Sequence, residues 1–418
     1  MVRKQENFYM RYKKEIIIIG IITLLVLFLR IINVFQIENG LANPFVMILI
    51  IIIFSFITIQ IQRNIDHNYQ RHKMFYSNLD ILKYISSILI IILHLRPFLN
   101  ISNELDLAFN NIITRICVPI FFIITGYFVA KKEKDNLNYI DHYIKKTIPL
   151  YLIWSLLYLI FLIAIGIPYI PSVLDFLSSL HIPLYLLIIG CIVLLPLVLV
   201  IALAYTGVYY HLWYFPAVIF SLLLLKKWKN KHSIKPLLVI SFILLLFGAT
   251  ETYYGVLPLS IQELLSYYYH IFFTTRNFLF FGLFYVVLGY FMGSKKELYS
   301  KNCFAKLIVT FFLLIFEAIL LHDTNRLDSN ILISCVPLTY YLFISSIYIS
   351  NHMKIKFQFG NFSKYYYFIH PMIILILSLL IPNIHDYPYF NILLVLFITH
   401  ILSFIIIQLK KNNKRWII

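Results

Sequence analysis

The sequence predicts an all-α polytopic membrane protein, and three observations support this fold class. Of the 418 residues, 61% are hydrophobic and only 13% are charged, and the mean hydropathy is +0.85. The apolar residues form successive runs long enough to cross a bilayer as helices. Short basic stretches separate these runs and carry much of the net charge of +17. Because this charge marks loops, it reports membrane topology, and we expect no nucleic-acid partner.

The loop charges predict about twelve transmembrane spans, with both termini cytoplasmic and the chain in the cell membrane. An uncleaved anchor from about Ile16 to Phe35 and a second run from about Phe45 to Ile61 form two extra helices before a ten-helix core. We therefore divide the chain at residues 1–77, 78–409 and 410–418, the last being a basic cytoplasmic tail. Basic loops are assigned to the inside: Arg63–Lys73, Lys131–Lys146, Lys226–Lys235, Lys295–Lys301, Lys354–Lys364 and Lys410–Arg415.

One apolar run, Leu184–Ala204, breaks the alternation of inside and outside loops. The spans before and after it require the run to start and finish on the same side of the membrane. Pro183, Gly190 and Pro196 interrupt it. We therefore predict a re-entrant or interfacial hairpin whose backbone is buried in protein.

Cysteine usage predicts neither a disulfide framework nor a metal site. The four cysteines are widely scattered without paired spacing: Cys117, Cys191, Cys303 and Cys335. Recognisable cysteine spacings are the usual sequence signal of both kinds of site, and this pattern shows none; at least three of the cysteines lie within apolar runs.

The first helix of the core carries a polar stripe. Lys83 and His94 are eleven residues apart, so they lie within about 20° of each other around a helix. Asp80 and Ser87 are close to the same face. Such groups are costly in hydrocarbon and are expected to face protein or water. The alternative is that Asp80 and Lys83 snorkel to the cytoplasmic end and that His94 is an ordinary packing residue.

The next helix and three later segments carry motifs that resemble a known family. Arg115 is followed by Val-Pro-Ile-Phe-Phe (118–122) and Thr-Gly-Tyr (125–127). Further motifs are HLWYFPA (211–217), FGLFYVVLGYFMG (281–293) and FGNFSKYYYFIHP (359–371). In this order they resemble the integral-membrane acyltransferase 3 family from Asn78 to about Gln408. Lys83 stands where the family usually has arginine, and Thr125 replaces its usual serine.

The predicted topology sorts the intramembrane polar residues into two layers. The outer layer holds His94, Arg115, His211, Trp213, Arg276 and Asn277. The inner layer holds Lys83, Lys145, Lys146 and Tyr151, and also Lys364, Tyr365, Tyr366, Tyr367 and His370. A histidine can accept the proton of an acceptor hydroxyl and an arginine can stabilise an oxyanion, while inner lysines suit the phosphates of an acyl donor. For several of these residues a plainer role is open, because lysines and tyrosines also form the usual basic and aromatic belts. For His211 and Trp213 the alternative is an interfacial anchor, and His370, next to Pro371, is expected to be structural.

The resemblance implies a definite chemistry for these layers. It implies an O-acyltransferase that transfers acetyl groups from cytoplasmic acyl-CoA (acetyl-CoA) as a co-substrate, with no bound cofactor. The acceptor would be an envelope glycan or another hydroxyl compound reached from outside. It also implies that His94 is the catalytic base. Membrane lipid completes the expected partners.

A second hypothesis for the function is a transporter-like or accessory membrane protein for a small amino acid or a glycan precursor, without catalysis. Of the family's Arg-x-x-Arg motif, the chain has Tyr143 at the first position and Lys146 at the last. A lysine cannot reproduce the bidentate fork of arginine at a phosphate site. Together with the segments KKTIPLYLIWSLLY (145–158) and TTRNFLFFGLFYVVLG (274–289), these departures look closest to the membrane half of the vancomycin-resistance serine/alanine racemases. That half is linked with D-serine uptake. No racemase segment follows the membrane segment here, so we expect any soluble partner to be a separate protein.

Overall fold

The computed structural model of the chain describes residues 77–99, 102–166, 172, 175, 179, 184–296, 298, 300–349, 359–381 and 383–412. The two extra helices predicted before the core, and the end of the basic tail, lie outside these residues. The described residues form twelve helices: α1 (Ser77–Leu95), α2 (Asn103–Glu133), α3 (Tyr139–Gly166), α4 (Leu184–Ile201), α5 (Tyr214–Lys229), α6 (Ile234–Ala249), α7 (Leu259–Phe272), α8 (Leu283–Ser294), α9 (Cys303–Leu320), α10 (Cys335–Ile349), α11 (Phe359–Leu380) and α12 (Pro388–Asn412).

The predicted fold class is confirmed. Among the described helices, six are long and apolar enough to cross a membrane: α1, α2, α3, α9, α11 and α12. The shortest of these spans have 18 residues, which rise about 27 Å and so nearly match a hydrocarbon core of about 30 Å. Setting aside α4 and the 14-residue helix α7, the remaining helices of this part of the chain form the predicted ten-helix core.

The predicted hairpin at Leu184–Ala204 is wrong in one respect. Helix α4 runs without a break through Gly190 and Pro196, then widens into a π turn at Ala202–Thr206 and ends at Gly207 with φ of 76°. A proline removes only one main-chain hydrogen bond, and apolar helices tolerate this loss in a membrane. That the segment Leu184–Ala204 does not cross the bilayer remains a prediction.

The chain divides into two compact units, which we describe separately. The described part of the first unit comprises residues 77–99, 102–121, 249–266, 296, 298, 300–349, 359–381 and 383–404. In it α1 packs against α10 and α11, and α9 packs against α10. A buried apolar cluster joins α9 and α10 to the start of α2, with Leu314 and Ala318 fully buried at its centre.

The second unit comprises residues 122–248, 267–295 and 405–418 where these are described. Its α5 packs against α3 and α8 and against the π segment Phe278–Gly282. The later part of α2 crosses α8 at glycines. A Cβ atom on Gly126 would overlap the carbonyl oxygen of Val286, and one on Gly289 would overlap that of Ile123. This close backbone approach is typical of membrane helices with small residues at their interface.

The glycine crossing gives a stability prediction. Gly289→Ala should lower the thermal unfolding midpoint in detergent, because the added methyl group meets backbone that cannot move aside, at a cost of about 1–3 kcal/mol. Gly190→Ala is the matched control, since a Cβ atom there has no neighbour within 4 Å. Equal midpoints for both variants would contradict the close crossing.

Candidate active site

His94 lies in the last turn of α1 and is half-buried against α11. Its ring stacks on that of His370, with 5.5 Å between ring centroids and 17° between ring planes. His370 is fully buried, and its Nδ1 lies 2.6 Å from the carbonyl oxygen of Tyr366. Because a carbonyl only accepts, Nδ1 of His370 carries the proton. His370 is thus the aromatic neighbour of the predicted base, a contact compatible with the structural role expected of it.

Arg115 lies on an irregular part of α2. A π segment at Leu107–Ile113 leads into the 3-10 turn Thr114–Ile116, which carries Arg115. Its Nη1 donates to Asn330 Oδ1 at 3.1 Å and its Nη2 to Asn111 Oδ1 at 3.2 Å. Both acceptors are neutral amides, so these two bonds orient the guanidinium without cancelling its charge. Since α1 packs against this stretch of α2, His94 and Arg115 lie on packed elements of one unit.

Lys83, the third predicted residue in the first unit, forms an ion pair. Its Nζ lies 2.5 Å from Asp80 Oδ1, with the lysine side chain 21% exposed and the aspartate 40% exposed. One turn is enough to bring the two together, as the polar stripe predicted. An ion pair this exposed contributes little to stability, and donor binding by Lys83 remains a prediction.

A hydroxyl and imidazole chain that the sequence did not reveal connects α1, α11 and α12. Tyr84 Oη lies 3.3 Å from Tyr366 Oη, and Tyr366 Oη lies 2.8 Å from His400 Nδ1. His400 also stacks on Phe362 at 4.9 Å. These residues come from three separate segments of sequence, so no local motif predicts their meeting.

The remaining predicted residues belong to the second unit, where Arg276 and Trp213 meet. The guanidinium lies over the indole ring at 5.7 Å from its centroid, a cation–π contact. Next to Arg276, Asn277 caps the π segment, because its Oδ1 accepts from the N–H groups of Leu279 and Phe280 at 2.9 and 3.1 Å. An asparagine before an apolar run is a usual capping signal. Asn277 therefore has at least a structural task beside its predicted acceptor-side role.

His211 is 4% exposed and sits among tyrosines. Tyr158 meets it edge-on at 4.9 Å, and Tyr209 and Tyr210 lie at 5.8 and 5.7 Å. Burial raises the pKa of both Tyr209 and Tyr210, so their hydroxyls stay protonated at neutral pH. This enclosure favours a site within the protein over the alternative of an interfacial anchor.

The two predicted donor-side residues of the second unit differ in their surroundings. Tyr151 is buried; its hydroxyl donates to the carbonyl oxygen of Leu203 at 2.9 Å, and its ring stacks on Phe215. Lys146, five residues earlier on α3, is exposed. Tyr151 thus joins α3 to the π turn after α4, whereas Lys146 is open to a soluble ligand. Their donor-binding roles remain predictions.

Sequence reasoning missed a buried carboxylate at the end of α2. Glu133 is 6% exposed and accepts from Lys229 Nζ at 2.5 Å and from Tyr290 Oη at 2.7 Å. Burying this carboxylate requires such partners. The available signal was an acidic residue set directly between lysines, Lys132 and Lys134.

Comparison with known proteins gives two kinds of match. A family model described as an acyltransferase domain matches residues 76–408. An amino-acid racemase of Enterococcus faecalis is 28% identical over 352 residues, which cover 81% of this chain and 46% of the racemase. A serine/alanine racemase of Enterococcus gallinarum is 28% identical over 305 residues, covering 70% of this chain and 40% of that protein. The chain thus spans less than half the length of these relatives. No solved structure gives a significant match.

Proposed function

This chain belongs to the acyltransferase 3 family of membrane proteins, and on that premise we propose that it is an O-acyltransferase of the cell envelope. It transfers an acyl group, in our proposal acetyl, from cytoplasmic acyl-CoA to a hydroxyl of an extracytoplasmic acceptor such as an envelope glycan. The observation that carries the proposal is the presence, in one unit, of His94 stacked on His370 and of Arg115 held by two neutral amides.

The proposed reaction uses these residues in two steps. His94 removes the proton of the acceptor hydroxyl as its oxygen attacks the thioester carbonyl. Arg115 stabilises the oxyanion of the tetrahedral intermediate. When the carbon–sulfur bond breaks, the imidazolium of His94 returns the proton to the leaving thiolate. The products are the O-acyl ester and free coenzyme A, so atoms and charge balance.

The donor and acceptor sides follow the two predicted layers. We propose that Lys83, Lys146 and Tyr151 serve the donor, and that His211, Trp213, Arg276 and Asn277 serve the acceptor. Arg276 over Trp213 provides a cation and an aromatic face together, which suits a polar acceptor with an apolar ring surface. Both termini are cytoplasmic in this scheme.

A second candidate function is transport of a small amino acid such as D-serine, without catalysis. The relatives described as racemases of amino acids and the lysine in place of arginine at position 146 favour it. Such a transporter has no need of phosphate recognition, so its activity should not depend on the charge of residue 146.

Acyl-group analysis of the envelope tests the proposal directly. Cells with and without the gene should differ in one O-acyl ester, and purified protein should form that ester from labelled acetyl-CoA. Identical acyl profiles together with uptake of labelled D-serine in proteoliposomes would instead establish the transporter.

The side chain at position 146 gives a prediction about the donor. Lys146→Glu should weaken binding of acetyl-CoA about 3- to 10-fold, because a carboxylate repels the donor phosphates and exposed charges act weakly. Lys146→Arg should keep or tighten binding, since its fork can bind phosphate bidentately. The measurement is calorimetric titration of the purified protein. Lys231→Glu, an equal charge change at another exposed lysine, is the control; the same loss there would refute a specific role for Lys146.

A further inference from the structure

The loop between α9 and α10 reaches Arg115 through Asn330 and Asp328. The carboxylate of Asp328 accepts three hydrogen bonds. Its Oδ1 accepts from Thr252 Oγ1 at 3.0 Å and from the main-chain N–H of Asn330 at 2.9 Å. Its Oδ2 accepts from the side-chain Nδ2 of Asn330 in a short contact. Asn330 in turn accepts from Arg115 Nη1, so the carboxylate and the guanidinium share one amide between them.

This arrangement determines which way the Asn330 amide points. A carboxylate oxygen only accepts, so the NH₂ group of Asn330 must face Asp328. Its carbonyl oxygen is then turned toward Arg115, which only donates. A flipped amide would set oxygen against oxygen at Asp328 and nitrogen against nitrogen at Arg115, so both ends oppose it.

The loop around Asn330 is held on both sides. Thr252 Oγ1 also accepts from the N–H of Ile331 at 3.1 Å. Beyond it, Glu317 accepts from the N–H groups of Ile333 and Ser334 at 2.6 and 2.7 Å. The hydroxyl of Tyr253 also donates to Glu317, and burial together with that carboxylate raises the pKa of Tyr253 so that it stays a donor. These hydrogen bonds hold the main chain next to Asn330 against α9 and against the loop after α6.

We infer that Asp328 and Asn330 are positioning residues for Arg115. Asp328 orients the amide of Asn330, and Asn330 with Asn111 holds the guanidinium in one plane. Neither residue need touch the substrate. The inference rests on the proposed function, because it assigns to Arg115 the stabilisation of the oxyanion. It predicts that these residues act on the rate of the chemical step and not on donor binding.

Asp328→Asn tests the inference. The new amide has one oxygen for three donors, so its nitrogen faces that of Asn330 and turns the Asn330 amide over. We expect kcat to fall about 10-fold with the KM for acetyl-CoA unchanged, since hydrogen bonds to a charged group are among the stronger ones. Asn330→Ala should act alike. Asp323→Asn, the same change at a carboxylate that is 79% exposed in the same loop, is the control and should leave kcat as it is.

Exchanging the two residues provides a rescue. In the double variant Asp328→Asn with Asn330→Asp, the amide at 328 can donate to the carboxylate at 330, and that carboxylate can accept from Arg115. This restores the fixed plane of the guanidinium, but the carboxylate at 330 also neutralises part of its charge, so we expect the double variant to regain part of the lost kcat. A purely structural role of the loop predicts the opposite, because two substitutions would then damage the fold more than one. A double variant as slow as Asp328→Asn would overturn the inference.

A second readout does not depend on catalysis. The rate at which phenylglyoxal modifies Arg115, followed by mass spectrometry of the purified protein, should rise several-fold in Asn330→Ala and Asp328→Asn but not in Asp323→Asn. If the wild-type protein transfers no acyl group, the proposed function fails while this measurement still reports on the geometry. Unchanged reactivity of Arg115 in well-folded Asn330→Ala protein would overturn the positioning role, whether or not the protein is a transferase.

Discussion

His94→Ala is expected to lower the rate of acyl transfer about 10²- to 10⁴-fold, while the protein inserts and expresses normally. The physical reason is the loss of the only group assigned to accept the acceptor proton. His94 lies half-buried at the end of α1 against the fully buried ring of His370. An ionisable residue in an apolar helix costs free energy, so its presence there favours a functional role.

Two further variants sharpen this prediction. His94→Gln keeps a polar side chain at the same position but has no basic nitrogen, so it should be as inactive as the alanine variant. His385→Ala is the control, because His385 is an exposed histidine of the same unit. The measurement is esterification of the acceptor by labelled acetyl-CoA, normalised to folded protein. Wild-type activity in His94→Ala would end the assignment of His94 as the base.

Arg115→Ala should lower kcat about 10²- to 10³-fold, as expected when a group that stabilises an oxyanion is removed. Arg115→Lys should recover only part of this loss. A lysine keeps the charge but cannot bond Asn330 and Asn111 at once in a fixed plane, so its ammonium would not be held toward the reacting carbonyl. Steady-state kinetics with varied acetyl-CoA would show the loss in kcat and an unchanged KM.

Arg96→Lys is the control for this series, since Arg96 is an exposed arginine whose partner is Asp106 and not an amide of the site. The same variants also separate the two candidate functions. If Arg115→Ala retains full transferase activity, or if the protein lacks that activity and Arg115→Ala abolishes uptake of D-serine, the acyltransferase mechanism proposed for Arg115 is refuted.

Much of the architecture could be predicted from local patterns along the chain. The length and apolarity of each run require a membrane helix, because an unpaired main-chain group in hydrocarbon is too costly for any other open structure. The order of the motifs around His94, Arg115, Gly126 and His370 predicted the family. The eleven-residue spacing of Lys83 and His94 placed both on one helix. Each of these properties depends on residues near one another in sequence, or on the order of such segments along the chain.

The contacts that orient the site could not be predicted in this way. His370 meets His94, and Asn330 meets Arg115 across 215 residues. Local periodicity carries no information about such pairs, because they depend on how whole helices pack. The prediction of a helix break at Pro196 was wrong for a related reason. Proline strongly disfavours an isolated helix, but in an apolar segment the remaining main-chain hydrogen bonds outweigh the one that proline removes. Composition and spacing thus specify which segments are helices and which family they form, whereas packing between distant segments decides which amide holds the arginine and which ring supports the histidine.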